Sequence, residues 1–144
     1  MRAAVTERLE AIPALAGRVH GAAKLADLTE RGSAAQVAPA AFVLPLGLRA
    51  GTPDAVTGLF RQSLDRLVGV VLLVRNLGDA TGEKALVDLD LLIEAVIQAL
   101  AGWGPDDAFG VFALARGELF SIAAGTITYQ LDFSIEDQLR IVRP

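Results

Sequence analysis

The sequence lacks cysteine, has a single histidine, and contains no Gly-x-Ser-x-Gly motif and no Gly-Lys-Ser/Thr motif. The absence of cysteine excludes disulfides, thiol catalysis and thiolate metal sites. The missing motifs remove the signatures of an α/β-hydrolase nucleophile and of a phosphate-binding loop. A histidine-based triad or metal centre would depend on His20 alone, and we interpret His20 as a loop or surface residue.

Charge and long apolar runs are also scarce. The chain of 144 residues carries 13 basic and 17 acidic side chains, for a formal net charge of −4. Binding to DNA without sequence preference requires Lys and Arg on phosphates, which this balance does not favour. The longest uncharged stretch, residues 32–48, is broken by Pro39 and Pro45 and is not an apolar span of about 20 residues. Charges near the N-terminus also argue against a signal peptide, so we expect no membrane partner.

The chain is rich in hydrophobic residues for its length. Hydrophobic residues make up 53 % of it, and the mean hydropathy is +0.46. The length fits one domain, here residues 1–144, with a core that needs no disulfide or metal. A chain this apolar without a membrane span is expected to bury part of its surface in an oligomer.

The spacing of apolar residues predicts two main helices after a short N-terminal one over residues 2–12. The first main helix covers residues 22–31 and ends at Gly32. The second covers residues 83–101 and ends at the Gly102-Trp103-Gly104-Pro105 stop, where the Trp packs. Its predicted buried stripe is Leu86, Leu89, Leu92, Ile93, Val96, Ile97 and Leu100.

Alternating apolar residues predict the strands. A very short strand covers residues 18–20, and a strand over 41–49 is placed at an edge by Pro45. Residues 32–40 and 50–55 are predicted loops, the second because Gly51, Pro53 and Asp54 favour a turn. Residues 59–75 form a long strand, whose uncharged half, 67–74, suits a central position covered on both faces.

The C-terminal third is typical of a hairpin. One strand covers residues 109–116 and continues over 119–122, with a turn or bulge at Gly117-Glu118, and residues 123–125 end it. The partner, residues 126–135, alternates apolar and polar residues, and the charged residues 136–144 are a strand end or a C-terminal arm. The class is therefore α+β, a mainly antiparallel twisted sheet of about four to five strands packed by two main helices.

The remaining polar patterns predict no chemistry. Hard metal ions need more converging oxygens than an isolated pair of acids provides, so we interpret the acidic pairs as solvated surface or turn residues. Gly102-Trp103-Gly104 begins like a dinucleotide fingerprint but ends a helix, whereas the fingerprint opens one. We expect no catalytic, metal or cofactor-binding residues. The acidic pairs are Asp88/Asp90, Asp106/Asp107 and Glu136/Asp137.

Four apolar residues are candidates for an interface. Val87 and Leu91 turn away from the buried stripe of the predicted second main helix. Phe60 and Leu64 lie in the mixed first half of the long strand, which can project from the body. The alternative is that Val87 and Leu91 are isolated surface residues, which are common on soluble proteins and need no partner.

Several segments, taken in order, resemble the tail terminator (tail completion) proteins of long-tailed phages and prophages. The likeness extends over nearly the whole chain and rests on packing and turn elements. The segments are residues 40–46 (AAFVLPL), 68–75, 79–82 (DATG), 85–86, 99–105 (ALAGWGP) and 129–133 (YQLDF).

The resemblance implies a structural virion protein with no catalysis and no cofactor. Such a protein forms a ring, hexameric in the family, on the head-proximal end of the tail tube. It ends tube polymerisation and offers a docking surface to the head connector. The implied partners are further copies of the chain, the tail tube protein and the connector or neck protein.

The same resemblance implies that the genome passes through the lumen without sequence-specific binding. The implied location is the tail or neck of the virion, and the host cytoplasm during assembly. Three alternatives stay open: another neck or head–tail joining protein, a small-ligand-binding or enzymatic α+β domain, and a toxin- or antitoxin-like interaction module.

Overall fold

The polypeptide combines short helices with long strands. The computed structural model describes residues 1–76, 82–105, 110–123 and 125–144. A 3₁₀ turn, Pro13–Leu15, follows the first helix. The helices are α1 (Arg2–Glu10), α2 (Ala22–Arg31), α3 (Ala34–Val37) and α4 (Glu83–Leu100), and the strands are β1 (Val19–Gly21), β2 (Ala40–Val56), β3 (Leu59–Arg75), β4 (Phe112–Ala123) and β5 (Thr126–Val142).

The five strands form one sheet in the order β1-β2-β3-β5-β4. All neighbours are antiparallel except β1 and β2, which are parallel. This confirms the predicted α+β class with a mainly antiparallel sheet. The long strand is found at its predicted bounds and is central, as its uncharged half indicates.

Both faces of the central strand are covered. Val68, Val70 and Leu72 belong to the larger core, which α1 and α4 pack against. Val71 and Leu73 point to the other face, into a smaller core with Leu28 of α2. Because successive side chains of a strand alternate between faces, only a strand covered on both sides carries an unbroken apolar run.

The helices follow the predicted pattern with one correction. Gly32 ends α2 with φ 66°, and Gly102 follows α4 with φ 80°. Leu86, predicted to be buried, is 44 % exposed, whereas Ala85 is buried. Ala85 lies four residues before Leu89 and therefore faces the core with it, whereas Leu86 lies at the border of the stripe.

The predicted turn over residues 50–54, and with it the loop over 50–55, is wrong. β2 continues to Val56, and the chain reverses at residues 57–58. Pairing with β3 shifts register between Ala50 and Pro53, so Gly51 and Thr52 together lie opposite Ser63 in a β-bulge, and Pro53 resumes the pairing. The Gln62 side chain donates a hydrogen bond of 2.9 Å to the Gly51 carbonyl, which satisfies part of the bulge.

The placement of Pro45 at an edge agrees with the structure. β1 pairs only with residues 41–43 of β2, so among the described residues β2 has no second strand neighbour from Leu44 onward. A second register shift lies between Pro45 and Gly47. The predicted loop over residues 32–40 contains the short helix α3.

The hairpin of β4 and β5 is confirmed and is longer than predicted. β4 is continuous, with register shifts on both sides of Gly117. β5 extends to Val142, and its residues 136–142 pair with residues 59–65 of β3. The Asp106/Asp107 pair, Phe109 at the start of the predicted strand and Ala124 in its predicted end lie outside the described residues, as does most of the segment 79–82.

Three strands extend together into an arm, formed by residues 48–56 of β2, 59–66 of β3 and 136–142 of β5. Every β2 residue from 45 to 56 is exposed. The arm ends at the reversal of residues 57–58, where the Arg143 amide donates to the Gly58 carbonyl. The charged residues that follow 135 are therefore the third strand of this arm.

Candidate interaction surfaces

The outer face of α4 exposes apolar side chains. Val87 and Leu91 are 58 % and 67 % exposed and lie one helical turn apart. Leu91 also borders a groove of about 290 Å³ between α4 and the 3₁₀ turn, with Ile12, Ala14 and Pro39 on the other side. The groove (named here the α4 groove) lies toward the β1 side of the sheet.

Edge strand β4 carries a second apolar surface. Leu114, Leu119 and Ile122 pair with Phe133, Tyr129 and Ile127 of β5, so their side chains share the sheet face that α4 packs against. They are 43 %, 47 % and 57 % exposed. We name these three residues the β4 ridge, and it lies at the opposite edge of the sheet from β1.

Sequence reasoning did not mark the β4 ridge as a candidate. A signal was present, because Leu119-Phe120-Ser121-Ile122 carries apolar residues that a strand must place on both faces. An edge strand with one solvated face does not need them for its own core. The exposed Phe120 lies toward the other face, in a groove bordered by Leu25 of α2 and Leu44 of β2.

The arm has one mainly apolar face, which carries the Arg66–Asp137 ion pair at its base, and one charged face. Phe60 and Ile141 are directly opposite one another on the apolar face, and both are half-buried. Leu64 lies on the same face but is only 6 % exposed, so it packs within the chain. Of the two candidates in the first half of β3, Phe60 therefore offers the exposed apolar area.

An ion pair joins the strands where the arm meets the body. Arg66 Nε donates a hydrogen bond of 2.9 Å to Asp137 Oδ2, across β3 and β5. The Gln138 amide donates to Asp137 Oδ1 at 2.8 Å. The hydrogen bond from Arg66, followed by that from Gln138, lowers the pKa of the Asp137 carboxyl below its usual value, since both favour the charged form.

The end of α4 is tied to α1. Arg8 Nε donates a hydrogen bond of 2.6 Å to the Ala99 carbonyl, which lies in the last turn of α4 and lacks a helical partner. The Arg8 guanidinium lies 4.7 Å from the centre of the Trp103 ring, and Trp103 stacks on Phe112 at 6.0 Å. The predicted packing role of Trp103 is confirmed.

The polar residues considered for chemistry are dispersed. His20 lies on β1, where a loop or surface residue was expected, and its half-buried ring is 5.5 Å from that of Phe42. Asp88 and Asp90 are exposed on α4, while Asp137 is engaged by Arg66. In residues 1–76, 82–105, 110–123 and 125–144, no cluster of three or more acidic or histidine side chains has the geometry to hold a metal ion.

Comparison with known protein families tests the resemblance to tail terminator proteins. A family model described as phage tail terminator protein matches residues 2–144. The chain belongs to this family. The resemblance drawn from the sequence is thus confirmed over the whole chain, while no curated protein matches it.

Membership makes the chain a structural protein of the phage tail, with a place in the tail of the virion and with other tail or head components as partners. The family is a structural protein family and is not known as enzymatic. Within the described residues, no helix combines the length and hydropathy needed to cross a membrane. The exposed apolar and charged surfaces are therefore its candidate functional sites.

Proposed function

We propose that this protein forms a hexameric ring on the head-proximal end of the tail tube. The ring ends tube polymerisation and offers the head connector, or another neck protein, a surface on which to dock. The observation that carries the proposal is the family match over residues 2–144. The exposed surfaces described above support the proposal and indicate which parts of the subunit contact its neighbours and the tail tube.

A cyclic ring needs two different patches on each subunit, one for each neighbour, because its contacts are heterologous. The β4 ridge and the α4 groove meet this requirement, since they lie toward opposite edges of the sheet. In the proposed ring, the ridge of one copy packs against the groove of the next, with Leu91 and Val87 at the contact. Burial of these side chains contributes roughly 25 cal/mol for each Å² of apolar surface removed from water.

The apolar face of the arm is the proposed contact with the tail tube. Phe60 lies near the tip, close to the reversal at residues 57–58, and keeps part of its ring exposed. Aromatic residues, Phe among them, are enriched at protein–protein interfaces relative to the rest of the protein surface. Genome DNA passes through the lumen, and a chain with net charge −4 has little tendency to hold its phosphates.

The test is an assembly reaction with the tail tube protein. Added tail terminator is expected to stop tube growth and to appear as a ring at one tube end in negative-stain electron micrographs. The Phe60→Ser variant is expected to form rings that cap fewer tubes. Unlimited tube growth with no bound protein would overturn the proposal, whereas binding to connectors but not to tubes would identify a different neck protein.

A further inference from the structure

The charged face of the arm is ordered in two rows that cross all three strands. Residues directly opposite one another in neighbouring strands place their side chains on the same face. The tip row is Asp54, Arg61 and Arg140, and the base row is Arg49, Asp65 and Glu136, each in the order β2, β3, β5. Positions 61 and 65 have the same parity, so both rows lie on one face, about 13 Å apart at roughly 3.4 Å per residue.

Within each row, two like charges are neighbours. Arg61 is directly opposite Arg140, and Asp65 is directly opposite Glu136. Like charges in directly opposed positions destabilise a sheet. In the described part of the chain, none of the six row residues takes part in an ion pair. The tip row keeps one net positive charge, and the base row keeps one net negative charge.

The two edges of the arm carry opposite charges at matching heights. β4 pairs with β5 only as far as Ile135, and Gly110 lies beside Glu136, so in the described structure residues 137–142 form one edge without a strand neighbour and β2 forms the other. The β5 edge presents Arg140 at the tip and Glu136 at the base. The β2 edge presents Asp54 at the tip and Arg49 at the base, and all four residues are exposed.

We propose that the arms of neighbouring copies lie side by side, with the β5 edge of one against the β2 edge of the next. Arg140 then meets Asp54 of the next copy, and Glu136 meets Arg49. The occupant is a second copy because one chain carries both complementary edges. The contact is heterologous and therefore repeats around a ring. This inference rests on the proposed ring and names the residues that hold its arms together.

The proposed arm contact and the proposed packing of the β4 ridge against the α4 groove place the neighbouring copy on the same side of the subunit. The β4 ridge and the β5 edge lie on the same side of the sheet, and the α4 groove and the β2 edge lie toward the other side. A single neighbour can therefore engage both. The tip arginines attract the phosphates of a DNA strand. The acidic base row repels those phosphates, and it lies about 13 Å away on the same face, at the spacing of four residues along a β-strand.

Charge exchange within one edge tests the contact at constant net charge. The double variant Arg140→Glu with Glu136→Arg places like charges against Asp54 and Arg49 of the next copy. Mass photometry and imaging of rings on tail tubes are expected to show about a tenfold or greater rise in the protein concentration at half assembly, since two attractions become repulsions. Raising the salt concentration is expected to shrink this difference, because it screens exposed charges.

The same variant has an opposite effect within the subunit. The glutamate introduced at position 140 would be directly opposite Arg61, and the arginine introduced at position 136 would be directly opposite Asp65, so both like-charge neighbours are removed. The free energy of unfolding of this variant is therefore expected to be equal to or above that of the original chain. Weaker assembly then cannot be attributed to poor folding.

The matched partner is the double variant Asp54→Arg with Arg49→Asp, which reverses the β2 edge. Because this reversal places like charges opposite Arg61 and Asp65 within the subunit, its own poor assembly does not test the contact. The test is an equal mixture of the two double variants, which is expected to recover rings by alternation. Unchanged assembly of the first variant would overturn the arm contact, as would intact rings that no longer bind tubes. Failure of the original chain to cap tubes would instead overturn the proposed function.

Discussion

Gly104, between α4 and β4, has no room for a side chain. A Cβ atom there would collide with the Gly110 carbonyl, which is backbone and cannot turn aside. The two segments are also joined by hydrogen bonds of 2.8 Å, from the Gly102 amide to the Phe112 carbonyl and from the Phe112 amide to the Trp103 carbonyl. The stop after α4 therefore also fixes the start of β4.

The substitution Gly104→Ala is expected to lower the free energy of unfolding by about 1–3 kcal/mol through overpacking. Gly21→Ala is the matched control, because a Cβ there meets nothing within 4 Å and its φ of −104° is ordinary. Its effect is expected to stay within about 1 kcal/mol. Urea denaturation measures both, and equal losses would contradict the close approach at Gly104.

Asp137 offers a second prediction for a single residue. Asp137→Asn keeps the shape but removes the charge that Arg66 binds, and is expected to cost about 0.5–1 kcal/mol at pH 7 for this partly exposed pair. Because folding lowers the pKa of Asp137, the carboxylate contributes its full stability above the usual value of 3.8 and loses it as the pH falls through the native pKa.

The difference between the original chain and Asp137→Asn is therefore expected to shrink in urea denaturation below pH 3.8, the usual value for the carboxyl. Asp90→Asn is the control, since Asp90 is exposed on α4 and forms no ion pair among the described residues. A difference that does not change with pH would show that the ion pair does not contribute to stability.

At the scale of elements, a substitution on the exposed face of α4 is expected to affect assembly without affecting folding. Leu91→Asp places a charge on a side chain that is 67 % exposed, so the monomer is expected to fold with nearly unchanged circular dichroism. Assembly is expected to weaken, because the charge must be desolvated in the α4 groove. Gln98→Lys, which introduces a charge on the same helix one turn after Glu94, is the control and is expected to assemble normally, whereas an unfolded Leu91→Asp variant would place Leu91 in the core.

Helices and strands whose bounds depend on local sequence signals could be predicted from the sequence, whereas a feature that depends on strand pairing could not. The bounds of β3 and α4 follow from an uncharged run and a helical stripe, which are local signals. The turn over residues 50–54 was wrong because Gly51 and Pro53 have the same local preference in a turn and in a bulge. Only pairing with β3, which continues from Asp54 to Arg61, decides between them, and pairing is not a local property.

The candidate surfaces could likewise be predicted only where they depend on local periodicity. The outward direction of Val87 and Leu91 follows from helical periodicity alone. The burial of Leu64 and the exposure of the β4 ridge depend on which strand occupies which place in the sheet. The charge rows depend on the register of three strands that are distant in sequence, so no local pattern contains them.

At the scale of the whole molecule, a heterologous ring predicts how damaged subunits mix. Leu91→Asp keeps an intact β4 ridge, and Leu119→Asp keeps an intact α4 groove, so each variant alone is expected to remain monomeric. An equal mixture retains one good contact per pair and is expected to stop at dimers. Native mass spectrometry distinguishes these dimers from rings, and rings in the mixture would contradict the pairing of ridge and groove.

The free edge of β2 has a consequence for solubility. An exposed strand with unpaired amide and carbonyl groups is a template for uncontrolled β-aggregation, and in the described part of the chain this one extends from Leu44 to the end of the arm. Pro45 and Pro53 lack amide hydrogens, and the two bulges interrupt the regular spacing of the groups that remain. The β2 edges of unassembled copies are therefore expected to be poor templates for endless backbone pairing, although the same edge can accept a neighbour through its side chains.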